Sequence, residues 1–394
     1  MRILILATRF KTEDTQNWLC DELAHSLAER GGEVWVVVGS PTIPRPRGMH
    51  YNPQGIRIDS VGVTRTPKSR AGRVWAMLIN ALRFRLKVRE LNRYHDFNGV
   101  VFTSISLMYG RSAEILPPTT QRLHIMWDFF PVHHMQIGSI PRLPFVGQVL
   151  KSLERWAIGS PNNVLVMSER GRTFFREYHP TIESSFQIQP PWSEDTPERT
   201  KLPAEGPLRV IFGGQLAKGR GVDKLIHAAA ILHRSDLPIE LVVAGTGSEE
   251  SRLRALSHEL GASNTRFVGQ LSRAAYTRQL TNSHVGVAIT DARVDAPSFP
   301  SKIGDYARVG LPILVATEPT SDVGNVIQRT QAGLMAESDS PRELAAALAQ
   351  FIYLRDEGSL SSMSRRSREF YESEMSAAAA AQTIIEAVEA PGDL

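Results

Sequence analysis

The sequence predicts an α/β protein made of two Rossmann-like domains with parallel sheets. Three observations predict it. Strand-length apolar runs alternate with helical patterns in two successive series, a segment rich in proline and charge separates the series, and a glycine-rich turn joins strand to helix in the second. In the first series the runs are Arg2 to Thr8, Glu33 to Gly39, Val100 to Thr103, His124 to Trp127 and Asn163 to Met167. Parallel strands covered by helices on both faces read as short continuous apolar runs, as these do. A helix from about Thr15 to Arg30 carries Trp18, Leu19, Leu23, Leu27 and Ala28 at helical spacing, and Gly31-Gly32 stops it.

The stretch from Gln189 to Pro207 holds too much proline and charge to join a packed element. The second series follows: strands Arg209 to Phe212, Leu241 to Ala244, Arg266 to Gly269, Val285 to Ile289 and Pro312 to Ala316. Helices lie between them, from about Val222 to His233, from about Glu249 to Leu260, after Ser272 and after Pro300. The expected division is a first domain over 1–190, a linker over 191–207, a second domain over 208–370, and a terminal helix and tail over 371–394 that cross back to the first domain. That terminal helix is expected from about Met363 to Val388 and contains the alanine run Ala377 to Ala381. Two open sheets of this kind are expected to face each other across a cleft, because ligands of such folds bind beyond the carboxyl ends of the strands.

Composition narrows the partners. At 394 residues the chain exceeds the size at which one core stops growing, and 42% apolar with 22% charged residues is ordinary globular protein. No apolar run approaches the ~20 residues of a membrane span, and Met1 to Leu6 reads as a strand rather than a signal peptide. The expectation is a cytoplasmic protein. The single cysteine, Cys20, excludes an internal disulfide and a cysteine zinc cluster, and its apolar helical setting places it in the core. The net charge of +4 is mild, but nine basic residues and one acid, Glu90, lie between Arg65 and Arg93. A helix from about Arg73 to Arg93 would carry Met77, Ala81, Phe84, Val88 and Leu91 on one stripe and Arg85, Arg89 and Arg93 on another. The basic stripe is either a solvated face or a contact with an anionic membrane on the acceptor side. Beyond basicity, no nucleic-acid-binding motif is present.

The segment Phe212-Gly213-Gly214-Gln215-Leu216-Ala217-Lys218-Gly219-Arg220-Gly221-Val222 runs from a strand through a basic, glycine-rich loop into a helix. Glycines let backbone N–H groups approach a phosphate, the helix start adds partial positive charge, and Lys218 and Arg220 add full charges. A plain strand-to-helix turn is the bland alternative for this loop alone. A second segment, Pro297-Ser298-Phe299-Pro300-Ser301-Lys302-Ile303-Gly304-Asp305-Tyr306, brings another helix start to the same sheet edge. Pro300 suits its first turn, Ser298 its cap, and Gly310 its end. Asp305 shares a face with Ser301, where its carboxylate can accept hydrogen bonds from a ribose diol or simply favour the helix dipole. Gly245, in Ala244-Gly245-Thr246-Gly247, is a tight reversal before it is a ligand contact. Gln270 and Leu271 lie where backbone groups could meet a nucleobase.

These residues resemble the retaining family 4 glycosyltransferases with the GT-B fold, above all the bacterial members that build cell-surface polysaccharide. In that family a Gly-Arg-Leu segment precedes a Lys-Gly pair; here Gly214-Gln215-Leu216 and Arg220-Gly221 occupy those places. The family's Glu-Gly-Phe-Gly motif, with a second Glu eight residues after the first, falls on Pro297-Ser298-Phe299-Pro300 and Asp305, so the first acid is absent. The resemblance implies that Gly214, Gln215, Lys218, Arg220, Gly245, Gln270, Leu271, Phe299, Ser301, Lys302 and Asp305 bind a nucleoside-diphosphate sugar, a UDP-sugar in preference to a GDP-sugar. It implies no bound metal and no other cofactor, because basic side chains and helix ends neutralise the leaving diphosphate. The acceptor, saccharide or lipid-linked, would meet the first domain, with the enzyme peripheral on the inner face of the membrane. There the candidate catalytic residues Asp128, His133 and His134 follow a strand among large apolar residues, where burial could shift their pKa values; each could equally serve only to satisfy loop backbone groups. Two other readings stay open: another sugar-nucleotide enzyme, an epimerase or phosphorylase, and a non-catalytic nucleotide-binding scaffold. A dehydrogenase is disfavoured, since neither opening strand leads into Gly-x-Gly-x-x-Gly.

Overall fold

The structure, a computed structural model, describes residues 1–394 apart from 11–18, 41–46, 53–54, 63–64, 66–67, 104–108, 130–131, 133–134, 136–143, 195–201, 204, 291–295 and 391–394. The chain divides into one unit of Met1–Pro190 with Ala377–Leu394 and a second of Pro191–Ser376.

The first unit is built on β1 (Arg2–Ala7), β2 (Glu33–Val38), β3 (Gly48–Tyr51), β4 (Arg57–Ser60), β5 (Gly99–Thr103), β6 (Gln121–Met126), β7 (Asn163–Val166) and β8 (Ser185–Ile188). They form one sheet in the order β3-β4-β2-β1-β5-β6-β7-β8, parallel except where β3 runs against β4. The central strand β1 is apolar throughout its middle because both of its faces are covered, and Ile3, Leu4, Ile5 and Leu6 are fully buried. Around the sheet lie α1 (Leu19–Glu29), α2 (Arg70–Leu91), α3 (Tyr109–Ala113), α4 (Pro144–Ile158) and α5 (Glu169–Tyr178). Ser69 caps α2 by accepting from the Gly72 N–H at 3.0 Å, and Ser168 caps α5 by accepting from Gly171 at 3.2 Å. Cys20 is buried in α1, where desolvation pushes its thiol up to about 12.

The second unit contains β9 (Leu208–Gly213), β10 (Ile239–Ala244), β11 (Thr265–Gly269), β12 (Val285–Ile289), β13 (Ile313–Ala316) and β14 (Gly333–Met335), in the order β11-β10-β9-β12-β13-β14. All adjacent pairs are parallel. Strand order therefore reverses between β9 and β12, and a ligand crevice opens where the chains leave those two strands on opposite sides of the sheet. The helices are α6 (Val222–Arg234), α7 (Glu250–Glu259), α8 (Arg273–Thr281), α9 (Lys302–Arg308), α10 (Val323–Thr330), α11 (Pro341–Asp356) and α12 (Leu360–Phe370). Alanines 228, 229 and 230 of α6 are buried in the core, where small side chains let the helix sit close to the sheet.

The reversal point is held open by a tyrosine. Pairing of β9 with β12 covers Val210 with Val285 and Ile211 with Gly286 and then stops, whereas pairing with β10 continues to Gly213. Beyond the last pair the Tyr306 hydroxyl enters the gap. It accepts from the Gly213 N–H at 3.1 Å and donates to the Val287 carbonyl at 3.0 Å, so the parted strands keep their partners.

The single terminal helix expected from Met363 to Val388 is two helices. After α12 the chain forms a π-helical turn over Tyr371–Met375, Ser376 is extended, and α13 (Ala377–Glu389) follows. The break has a tertiary cause: the Tyr371 hydroxyl donates to the Ser193 carbonyl at 2.9 Å, and the Ser193 N–H donates to Met375 at 3.0 Å. The return to the first unit thus begins at Ala377 rather than at 371. There Ala380, Ala381 and Ile384 are buried, and α13 packs on α1.

Candidate functional site

Two segments far apart in sequence meet at the reversal point of the second sheet. The loop after β9 carries Gly214 to Gly221, and the loop after β12 ends in α9, whose first residue is Lys302. The Lys302 Nζ lies 4.3 Å from the centroid of the Phe212 ring, and a methyl group on Gly214 would sit 3.5 Å from that nitrogen. Burial, and after it the charge of Arg220, pushes the Lys302 ammonium down to about 7. Among the described residues neither Arg220 nor Lys302 has a carboxylate partner. Two cations set within electrostatic reach of each other, with no counter-ion among the described residues, make a candidate anion site, because their repulsion and desolvation are already borne before any ligand arrives.

The backbone of the loop explains its glycines at two places. Gly221 precedes α6 in the left-handed region, φ +66°, and a Cβ there would lie 2.7 Å from Ile289. Gly245 takes φ +141°, and a Cβ would come within 1.8 Å of the Gly214 carbonyl oxygen. Gly245 therefore acts by letting its own turn pack beneath the loop of Gly214, in keeping with a tight reversal. Gln215 and Lys218 are exposed on the loop, and Arg220 is half-buried. A cavity of about 640 Å³ lies beside the start of α6, lined by Lys218, Arg220, Glu249, Thr290, Ser338 and Asp339 among others. Lys302 is not on its wall, so the cavity adjoins the cationic pair through Arg220. The Ser338 hydroxyl, buried on that wall, has no hydrogen-bond partner among the described residues.

Asp305 lies in the first turn of α9 with its side chain 31% exposed, 3.6 Å from the Arg308 guanidinium. Desolvation raises its pKa, and Arg308 and Arg273 oppose that rise. Ser301 is exposed at the helix start and makes no side-chain cap. Phe299 is buried and packs rather than lying open. Gln270 is exposed and Leu271 half-buried at the carboxyl end of β11, where the Gly269 carbonyl accepts from the Gly245 N–H at 2.8 Å.

Ser298 does not cap α9 as its position suggested. Glu318, a residue the sequence reading missed, takes it instead. This carboxylate is 1% exposed and accepts from the Ser298 N–H at 2.8 Å, from the Ser298 hydroxyl at 2.7 Å, and from the Thr290 hydroxyl. It fixes both ends of the loop that leads from β12 to Lys302. The one signal in the sequence is an acid two residues beyond an apolar strand end. Replacing Glu318 by Ala strands three part-buried donors, and thermal unfolding is expected to show a loss of about 1–3 kcal/mol. Glu318→Gln, which keeps an acceptor oxygen, is expected to lose less.

In the first unit Asp128 is exposed just beyond β6, which corrects the expectation that it sits enclosed by apolar groups. The reason is the turn of the chain after the strand. Phe129 points inward onto Phe174, 4.6 Å between centroids, and leaves its neighbour outside. Among the described residues of this segment the buried histidine is His124, stacked on Phe102 at 5.1 Å and pushed down to about 3 by burial. His133 and His134 lie outside the described residues.

Comparison with known proteins bears on the fold. Residues 194–370 match the family described as glycosyl transferases group 1. A glycogen synthase of Mycobacterium tuberculosis is 29% identical over 157 residues, which is 39% of this chain and 35% of that protein. The chain thus aligns with about a third of the length of this curated relative. Among solved structures, a sucrose-phosphate synthase from Thermosynechococcus elongatus matches with TM-score 0.72 at 15% identity, covering 98% of each chain. An E. coli trehalose-6-phosphate protein bound with UDP-2-fluoro glucose matches with TM-score 0.70 at 11% identity, covering 99% of each. The chain has the GT-B glycosyltransferase fold. Its second unit carries the group 1 glycosyl transferase match.

Proposed function

We propose that this protein transfers a hexosyl or N-acetylhexosaminyl group, with retention at the anomeric carbon, from a nucleoside-diphosphate sugar to a saccharide or lipid-linked acceptor in cell-surface polysaccharide synthesis. The observation that carries the reading is that Lys302 sits over Phe212 at the reversal point of the sheet, within electrostatic reach of Arg220. When the glycosidic bond to the diphosphate breaks, the bonding electrons leave with the diphosphate, and its charge grows. Fixed cations that already surround that position stabilise the charge without reorganising, and no metal is needed. Lys302, half neutral near pH 7, takes up a proton as the anion arrives. Asp305 accepts hydrogen bonds from the ribose diol, and the nucleobase lies toward Gln270 and Leu271. Asp128, with His133 and His134, serves the acceptor hydroxyl. Arg85, Arg89 and Arg93 bring the enzyme to an anionic leaflet.

The test begins with thermal shift against UDP, GDP and their sugars, since a ligand that binds only the folded state raises its melting temperature. UDP-sugars are expected to stabilise most. The stabilising donor is then incubated with candidate acceptors, and the anomeric configuration of the product is read by proton NMR coupling. An α-linked product from an α-linked donor supports retention. Free epimerised sugar, phosphate-dependent cleavage, or tight binding with no sugar release would each replace the transferase reading.

A further inference from the structure

Helix α2 is apolar on two sides. Ala81, Phe84, Val88 and Leu91 face the sheet and are buried, while the side chain of Met77 lies outside the described residues. Opposite them, Trp75, Leu78, Ile79, Leu82 and Leu86 are exposed, Trp75 by 66% and Leu82 by 57%. Their spacing puts these five on one stripe, Arg85 and Arg89 continue it toward the end of the helix, and Arg93 follows in the turn just beyond. Helix α4 repeats the pattern: Phe145, 79% exposed, Val149, Leu153 and Trp156 lie on its outer side.

The two stripes belong to one surface. Arg85 donates to the Arg111 carbonyl at 3.0 Å, and Arg111, on the short helix α3 between them, donates to the Trp156 carbonyl at 2.7 Å. The Arg111 guanidinium also lies 5.3 Å from the Trp156 ring centroid. An apolar surface on this scale calls for a partner. Its charge selects one. The stripe and the turn that follows it carry three arginines, Arg85, Arg89 and Arg93, against one acid, Glu90, whose charge is matched by Lys87 at 2.9 Å. Tryptophans at its edges and arginines beside aliphatic side chains suit the boundary between headgroups and acyl chains.

We infer that this face of the first unit inserts Trp75, Leu78, Leu82, Phe145 and their neighbours into the interface of an anionic bilayer, with Arg85, Arg89 and Arg93 on the lipid headgroups. The inference deepens the lipid-acceptor reading, and its test needs no donor and no turnover. Among the described residues no helix is long and apolar enough to cross a membrane, so the contact is interfacial.

The experiment is co-sedimentation of the full chain with phosphatidylglycerol and with phosphatidylcholine vesicles, paired with tryptophan quenching by lipids brominated in the acyl chain. The wild type is expected to pellet with phosphatidylglycerol vesicles and to be quenched, and Trp75→Phe to lose part of the quenching. Leu78→Gln combined with Leu82→Gln removes two exposed side chains and is expected to weaken partition at least about tenfold. Arg89→Gln combined with Arg93→Gln is expected to abolish the preference for phosphatidylglycerol over phosphatidylcholine. Circular dichroism confirms that each variant is folded. The inference is overturned if the wild type stays in the supernatant, if it pellets without acyl-chain quenching, or if the leucine variant pellets as the wild type does. A concentration-dependent dimer that the leucine variant dissociates, without vesicle binding, would assign the face to a second copy instead.

Discussion

Arg220→Ala is expected to lower sugar transfer about 10²–10³-fold, the usual cost of removing one preorganised donor of positive charge from a site where negative charge develops. Its stability is expected to stay close to that of the wild type. Among the described residues Arg220 has no hydrogen-bonded or ion-paired partner to abandon. Its removal also relieves Lys302 of a repulsion, so the Lys302 pKa rises in the variant. Steady-state kinetics with saturating acceptor, alongside thermal unfolding, separates the two effects. Undiminished transfer in a folded Arg220→Ala protein would remove this loop from the mechanism.

Binding of a nucleoside diphosphate is expected to weaken as pH rises from 7 to 9, by roughly 50-fold if the bound Lys302 stays protonated throughout. The sign follows from the free protein, where Lys302 titrates at about 7 because of burial and, second, Arg220. Above that pH most molecules must take up a proton to bind, and the penalty grows tenfold with each further unit. Folding stability runs the other way. The unfolded lysine keeps its proton up to its model value of 10.5, so this residue's share of stability is full above 10.5 and is lost as pH falls toward 7. Isothermal titration in buffers of different ionisation enthalpy measures the proton uptake directly. Lys302→Arg, which stays charged, is expected to bind with a nearly flat profile over the same range. A wild-type profile equally flat would show that Lys302 does not touch the diphosphate.

The strands legible in the sequence were the buried parallel ones, where a run such as Ile3 to Leu6 has no polar face to disguise it. Those missed have physical reasons. All of β3 is exposed, β8 is only half-buried, β14 has three residues, and β4 reads Arg-Ile-Asp-Ser although most of it is buried. The legible strands were recognised as continuous apolar runs, and each of these is too short or too polar to form one. For α2 the difficulty was the reverse. Helical periodicity found two stripes, one apolar and one basic, but an apolar residue facing outward at Trp75 or Leu82 looks in sequence like one facing inward.

Local chemistry alone determined that the loop from Phe212 to Gly221 and the segment from Pro297 to Asp305 sit at strand ends, that they carry positive charge, and that their glycines serve close backbone approach. Those properties live within a few residues of chain, where dihedral preference and side-chain charge act directly. The tertiary structure decided which of them meet. Only strand order brings Lys302 over Phe212 and under the influence of Arg220, puts the Tyr306 hydroxyl between Gly213 and Val287, and turns Glu318 onto Ser298 and Thr290. Each of these contacts joins segments on or beyond different strands, and the free energy that fixes strand order comes from burying the whole sheet rather than from any local segment.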